Sequence, residues 1–475
     1  MDKHYLVIDI GSGSIRATLL NENLIPVEIQ QQYRTAAVTL SAEHEWDTVK
    51  ELIKKITCKA QNICVVGVTS LVGWVAVDMN AVPVSPVFTW MDQKKELAGM
   101  FSEAIDSHLF YEKTGRRTSP ELGGFKLKYL KLNSPEAYEA TKFFFTLKDY
   151  INLRLTGAAC IDYTSACYSA VYNINKKDYD TELIKILDID QSKLPHLKAS
   201  YEQVGVILED VANQTGLPQG IPVCVSGPDG SVGLLGADGI EDGTAVSTMG
   251  TTDVIFVTSK HKVTDNTQSV VVNNHLLPDL WLIGGPLGVS GGALKWLSES
   301  LLDNSKSLSE LNILSAAIPP GSEGLMIIPS FTGERTPYWY PDIKGTVCGL
   351  TSNHHAGHFA RAIMESNSYT IKKVLDICGQ AGCLTKKFIA IGGGANSEPW
   401  LQIKSDVLGM PVFVPEVLEA STRGCAILAK MCEGCSFVSS NAYIKKITPN
   451  PEKTERYRSL SERYFKFLEE MISFY

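Results

Sequence analysis

Apolar residues crowd the start of the chain. Tyr5-Leu-Val-Ile-Asp-Ile10 is a continuous apolar run broken only by Asp9, which predicts a buried strand. The turn Gly11-Ser-Gly-Ser14 follows, and Ile15-Arg-Ala-Thr-Leu-Leu20 resumes with strand character, so the pattern is a β-hairpin. The distinction matters because the glycine loops of dinucleotide-binding and P-loop proteins open a helix instead. The same design returns at Thr244-Ala-Val-Ser-Thr248, with the turn Met249-Gly-Thr-Thr252 and the run Asp253-Val-Ile-Phe-Val257. Two such units half a chain apart predict two similar domains facing each other. Each turn offers backbone N–H and hydroxyl groups to a phosphate.

Between and beyond the hairpins, strand and helix patterns alternate. Strands are predicted over 65–68, 74–77, 223–225, 325–328 and 388–391, and helices over 125–132, 149–155, 181–187, 359–378 and 398–408. Tyr457, Leu460, Tyr464, Phe467 and Met471 fall on helical spacing and predict an amphipathic C-terminal helix. The longest apolar tract, 63–77, is interrupted by Gly67, Thr69-Ser70 and Gly73 and ends at Asp78. It is too short and broken to span a bilayer and reads as two buried strands joined by a turn. The alternation predicts an α/β architecture with a boundary just after Gly236, giving domains 1–238 and 239–475.

Composition narrows the function class. The 475 residues suffice for two or three domains, and 44% hydrophobic with 20% charged residues excludes a mainly disordered chain. With 44 Lys+Arg against 52 Asp+Glu, the net charge of −8 and the lack of a dense basic tract argue against a dedicated nucleic-acid binder. A small-molecule partner is expected. The segment Met1-Asp-Lys-His-Tyr5 shows no apolar leader, and eleven scattered cysteines read as reduced thiols, so the expected setting is the cytoplasm without a membrane partner.

Three places carry candidate chemistry. Asp9, in an apolar strand just before Gly11, reads as a ligand to Mg²⁺-bound water beside phosphates, or as a cap of the following turn. Asp229, in Ser226-Gly-Pro-Asp-Gly230, stands at a strand's carboxyl end, where α/β sheets collect ligands. It suits a general base for a hydroxyl nucleophile, and equally an Asx turn or helix N-cap. The turn Ile391-Gly-Gly-Gly-Ala-Asn-Ser397 permits close approach of a flat ligand before a helix. Other clusters read blandly. His354, His355 and His358 mark a surface helix start, with His354 and His358 on one face. Glu43, Glu45 and Asp47 mark a solvated helix start, and Cys432-Glu-Gly-Cys435 is a fortuitous pair.

Motifs then coincide in order: Asp9-Ile-Gly-Ser-Gly-Ser-Ile-Arg16, Ser226-Gly-Pro-Asp229, Met249-Gly-Thr-Thr252, Gly333-Glu-Arg-Thr-Pro337 with Trp339, Arg361-Ala-Ile-Met-Glu365, and Gly392-Gly-Gly-Ala-Asn-Ser397. Smaller echoes are Trp90-Met-Asp92, Lys126-Leu-Lys-Tyr-Leu130, Asp149 with Leu155-Thr-Gly157, Asp162 with Ser165-Ala166, and Glu419-Ala-Ser421 with Gly424. Together they resemble the FGGY family of carbohydrate kinases over nearly the whole chain. The resemblance implies two actin/hexokinase/RNase-H-like domains with ATP, Mg²⁺ and a sugar in the cleft between them. By motif position it implies Asp9 as organiser of Mg²⁺, and Gly11, Ser12, Gly13, Ser14 and Arg16 as the first phosphate loop. Ser12 replaces the family's usual Thr and keeps the hydroxyl. The resemblance further implies Gly250 and Thr251 as the second loop, Gly291 and Lys295 beside the nucleotide, and Gly393, Ala395 and Ser397 near the adenosine. Asp229 matches the family's catalytic base.

The sugar side departs from the family. After Val65-Val-Gly67, relatives carry a polar pair that grips the polyol, whereas this chain has Val68-Thr-Ser-Leu-Val-Gly-Trp74, one residue shorter and without those groups. Lys94 stands where an Arg often follows the Trp-x-Asp unit. Trp74, Asp92 and Glu121 are the pocket candidates, with Asp229, and pentulose, hexulose, aldonate and polyol acceptors all remain open. Trp74 reads equally as core. The expected activity is ATP-dependent phosphorylation of a small sugar or polyol. The competing expectation is a nucleotide-binding regulatory protein on the same fold. A homodimer is the default expectation for a soluble enzyme.

Overall fold

The computed structural model describes residues 3–59, 62–416, 419–436 and 442–475. The chain forms two compact units, each interrupted in sequence. Unit 1 comprises Met1–Gly236, Asn273–Trp281 and Ala420–Ser439; unit 2 comprises Ala237–Val272, Leu282–Glu419 and Ser440–Tyr475.

Unit 1 is built on a six-stranded sheet in the order Gln203–Val206, Pro222–Cys224, Ile63–Ser70, His4–Ile10, Ser14–Asn21, Pro26–Tyr33. His4–Ile10 pairs antiparallel with Ser14–Asn21 and parallel with Ile63–Ser70, so the first hairpin is joined to the sheet's parallel half. The central strands are apolar on both faces, as a strand covered on both sides requires. Helix Ala42–Thr57 lays Trp46, Val49, Leu52, Ile53 and Ile56 on the sheet, and Ser41 caps its first turn. Helix Asp229–Gly236 crosses helix Ala420–Cys432 at two glycines. A Cβ on Gly236 would lie 1.8 Å from the Ala420 carbonyl, and one on Gly424 1.9 Å from the Val232 carbonyl. Only glycine permits that approach.

The predicted pair of strands in 63–77 forms, but the two part company. Ile63–Ser70 lies in the main sheet, whereas Gly73–Val77 joins a separate four-stranded sheet with Thr39–Leu40, Val87–Thr89 and Phe143–Thr146.

Unit 2 repeats the core arrangement. Thr244–Met249 pairs antiparallel with Thr252–Ser259 and parallel with Lys387–Ile391, which pairs in turn with Val412–Pro415. Helix Ala356–Gln380, longer than the predicted 359–378, and the amphipathic helix Pro451–Phe474 form much of its helical layer. Arg361, on the first, binds Glu365 at 2.8 Å and the Tyr457 hydroxyl of the second at 2.7 Å. Both units thus carry a hairpin with a parallel neighbour, and the mixed α/β architecture of the actin/hexokinase-like class is present in each.

Candidate functional site

In unit 1 the first hairpin turn brings Gly11, Ser12, Gly13 and Ser14 to one exposed end of the sheet, closed by Gly11 N–H donating to the Ser14 carbonyl at 2.9 Å. Arg16 and Asp9 are cross-strand partners at the base of this turn. Asp9 is half-buried, and its Oδ2 accepts from the Ser421 hydroxyl at 2.7 Å. Arg34 braces the turn from outside. Its backbone N–H donates to the Gly13 carbonyl at 2.9 Å, its Nε donates to the Gly11 carbonyl at 3.1 Å, and its other guanidinium arm pairs with Glu45. Glu45 is therefore not solvated as the sequence pattern suggested. It is 2% exposed, and burial raises its carboxyl against the pull of Arg34.

Asp229 opens the helix Asp229–Gly236, directly after strand Pro222–Cys224 and the turn 225–228. It is half-buried, and its Oδ1 accepts from the Gly230 N–H at 2.7 Å. Burial first, and the neighbouring Asp9 carboxylate second, push its carboxyl up to about 7. The structure thus brings together in one unit the two carboxylates singled out from sequence, with Asp9 next to the Gly11–Ser14 turn. A carboxyl titrating near neutrality is suited to receive a proton from a hydroxyl.

The sugar-side candidates separate into a core residue and a polar cluster. Trp74 is 1% exposed, its ring stacked on Phe144 at 5.3 Å, and its indole N–H meets no partner among the described residues. A Cβ on Gly123 would lie 2.4 Å from that ring, which explains the glycine. Asp92 is buried and pairs with Lys94 at 2.7 Å, while Glu121 accepts from the Ser119 hydroxyl. Lys126, fully buried, donates to the Thr89 carbonyl at 2.6 Å. Burial lowers it to about 8, with Asp92 and Glu121 opposing that shift, so two acids and two lysines share one neighbourhood.

In unit 2, three turns meet at Met249–Thr251. Gly291 N–H donates to the Gly250 carbonyl at 3.1 Å, and Gly292 N–H to the Thr251 carbonyl at 2.9 Å. A Cβ on Gly291 would lie 2.6 Å from the Gly250 carbonyl, and one on Gly394 2.7 Å from Met249 Cβ. Gly250, Thr251 and Gly393 remain exposed at this junction. Ala395 is buried, and Ser397 caps helix Glu398–Leu408 while donating to Asn312 at 2.8 Å. Lys295 is exposed with Glu299 3.7 Å away, one turn further along its helix.

The remaining sequence clusters resolve structurally. Helix Ala356–Gln380 begins after His354, which lies in the preceding turn, so His354 and His358 do not share a helix face. His355 is its N-cap, and His358 Nε2 lies 3.2 Å from Glu323. Cys432 ends its helix with its thiol beside that of Cys224, and Cys435 is exposed; both are free thiols. Sequence reasoning gave Arg34 and Thr69 no role and placed Ser421 only within a motif echo, because the part each plays depends on tertiary neighbours. A signal also existed for Glu45, since its spacing from Val49, Leu52 and Ile56 places it on the buried face of its helix.

Comparison with known proteins agrees with this geometry. Residues 4–236 match the N-terminal domain model of the FGGY family of carbohydrate kinases, and residues 245–432 match its C-terminal domain model. A gluconokinase of Bacillus subtilis is 29% identical, with 97% of this chain and 94% of that protein covered. A xylulose kinase of the same organism is 26% identical, covering 97% and 96%. The crystal structure of xylulose kinase from Rhodospirillum rubrum superimposes with a TM-score of 0.90 at 25% identity over 99% of each chain. Hairpin turns, paired carboxylates and family models point the same way: the chain belongs to the FGGY family of carbohydrate kinases.

Proposed function

We propose that this carbohydrate kinase transfers the γ-phosphoryl group of ATP to a hydroxyl of a small sugar or sugar derivative, with Asp229 as the general base. The observation that carries the reading is the Asp229 carboxyl. It is half-buried at a strand–helix junction beside Asp9 and is raised to about 7 by burial and by that neighbour. Asp229 accepts the proton of the acceptor hydroxyl as its oxygen attacks phosphorus. Gly11 and Gly250 close the two turns with their own N–H groups, and the N–H and hydroxyl groups of Ser12, Gly13, Ser14 and Thr251 bind phosphoryl oxygens. Gly291 and Lys295 flank the nucleotide, and Gly393, Ala395 and Ser397 approach its adenosine.

Magnesium fits this donor set. Asp9 supplies a hard carboxylate oxygen beside a phosphate turn, and Mg²⁺ is commonly held by one or two carboxylates together with nucleotide phosphates. When bound, the ion neutralises charge on the phosphoryl oxygens. Ser421 orients Asp9 for that contact.

The acceptor class proposed is a ketose or sugar acid, following the names of the similar xylulose kinase and gluconokinase. Asp92, Lys94 and Glu121 form the polar side of its pocket, and Trp74, packed in the core, takes no direct part. The test is acceptor-dependent ADP release with Mg-ATP across a panel of ketoses, aldonates and polyols. Stimulation by one class names the substrate. ADP release that no acceptor stimulates refutes the reading.

A further inference from the structure

The turn that carries Asp229 is held from beneath by side chains that the reaction itself does not use. Lys148 and its partners Asp149 and Asp162 are at most 1% exposed. The Lys148 ammonium pairs with Asp149, lies 2.9 Å from Asp162 Oδ2, and donates to the Val225 carbonyl at 3.3 Å. Asn152 donates to the same carbonyl at 3.3 Å. Two residues on, the Gly227 carbonyl accepts from the Thr69 hydroxyl at 2.8 Å. Thr69 is fully buried and is the parallel register partner of Asp9.

The grip lies where the backbone needs it. Ser226 holds a left-handed φ of 59°, a strained conformation for a residue with a Cβ. Its N–H donates to the Ser200 carbonyl at 2.7 Å, and its hydroxyl lies 3.2 Å from the Cys425 thiol. Leu276 closes the other side, since a Cβ on Gly227 would lie 2.3 Å from its methyl. A buried ammonium with two carboxylates is a costly way to fill space, because apolar residues of similar volume often serve stability as well or better. What apolar residues cannot do is aim a donor at a carbonyl.

We propose that Thr69 and Lys148 are positioning residues for phosphoryl transfer: by holding the Gly227 and Val225 carbonyls they set the turn so that the Asp229 carboxylate meets the acceptor hydroxyl. The inference rests on the reading of Asp229 as the base. The two residues act through geometry, each placing a donor on a backbone carbonyl of the turn. The upward shift of Asp229 arises from burial and from Asp9, and the Gly230 N–H opposes it.

The test compares Thr69→Val, Thr69→Ser, Lys148→Met and Asp229→Asn in the full chain. It measures kcat, and KM for ATP and acceptor, with D-xylulose or D-gluconate, whichever the unaltered chain phosphorylates faster. Thr69→Val removes one donor without stranding a charge, so it decides the matter even if Lys148→Met, which strands two buried carboxylates, does not fold. The expected result is a kcat loss of about tenfold to a hundredfold in Thr69→Val, the range for a misplacement near 1 Å. KM for ATP stays within about twofold, and Thr69→Ser recovers to within about threefold of the unaltered chain. A folded Thr69→Val with kcat within twofold overturns the inference, as does a loss that Thr69→Ser fails to restore. If Asp229→Asn itself keeps its turnover, or no acceptor supports turnover in the unaltered chain, the reading of Asp229 fails and takes this inference with it.

Discussion

Replacing Asp229 by Asn should destroy turnover and stabilise the fold. In the folded chain burial and Asp9 raise this carboxyl to about 7, against an ordinary value of 3.8. The folded state therefore holds its proton over a range where the unfolded chain has released it. Stability falls as the pH climbs from about 4 to about 7, and the full cost of ionising the buried group stands above 7. A shift of about three units corresponds to roughly 4 kcal/mol as an upper bound, at about 1.36 kcal/mol per unit. Because the side chain is only half-buried, solvent screening reduces that to about 1–2 kcal/mol. Asn carries no such cost. Urea or thermal melts of the two proteins should therefore differ by about 1–2 kcal/mol in favour of Asp229→Asn at pH 8, or about 1–4 °C in Tm, and converge near pH 4. Equal stability at pH 8, or a gap that persists unchanged at pH 4, refutes the reasoning.

Other predictions follow from the same structure. For the unaltered chain, kcat/KM should fall as the base is protonated, roughly fivefold from pH 7 to pH 6 and with a slope approaching one below pH 6; a pH–rate profile checks it. Lys404, fully buried, lies 3.1 Å from Asp253 and 2.6 Å from Asn367 beside the turn between Met249 and Thr252. Lys404→Met leaves Asp253 buried without its cation and should cost about 3–5 kcal/mol in a urea melt. Gly424→Ala drives a methyl against the Val232 carbonyl and should cost upwards of about 2 kcal/mol, read as a lower Tm. Arg34→Met releases the Gly11 carbonyl and should raise KM for ATP several-fold, measured at saturating acceptor.

The parts legible in the sequence were those whose chemistry is local. Both hairpins could be read because a Gly/Ser/Thr turn between two apolar runs determines its own geometry within a few residues. Asp229 could be located because strand, turn and helix follow one another directly in the chain. The supports were not legible. Nothing near Thr69 announces that its hydroxyl meets Gly227, 158 residues later, and nothing in the sequence marks Lys148 as the residue that two carboxylates and a carbonyl surround. Glu45 misled for the same reason, since its cation, Arg34, arrives from a separate segment. His354 misled because the helix starts two residues later than the histidine cluster suggests. The tract 63–77 concealed that its two strands enter different sheets, a choice made by their pairing partners and not by their own residues.

The most direct test of the account is a comparison of sugar phosphate formed by the unaltered chain and by Asp229→Asn, with Mg-ATP affinity measured on both by calorimetry. The account predicts a loss of at least about a thousandfold in phosphate transfer, with nucleotide affinity within about threefold. Transfer by Asp229→Asn at a rate near that of the unaltered chain contradicts it.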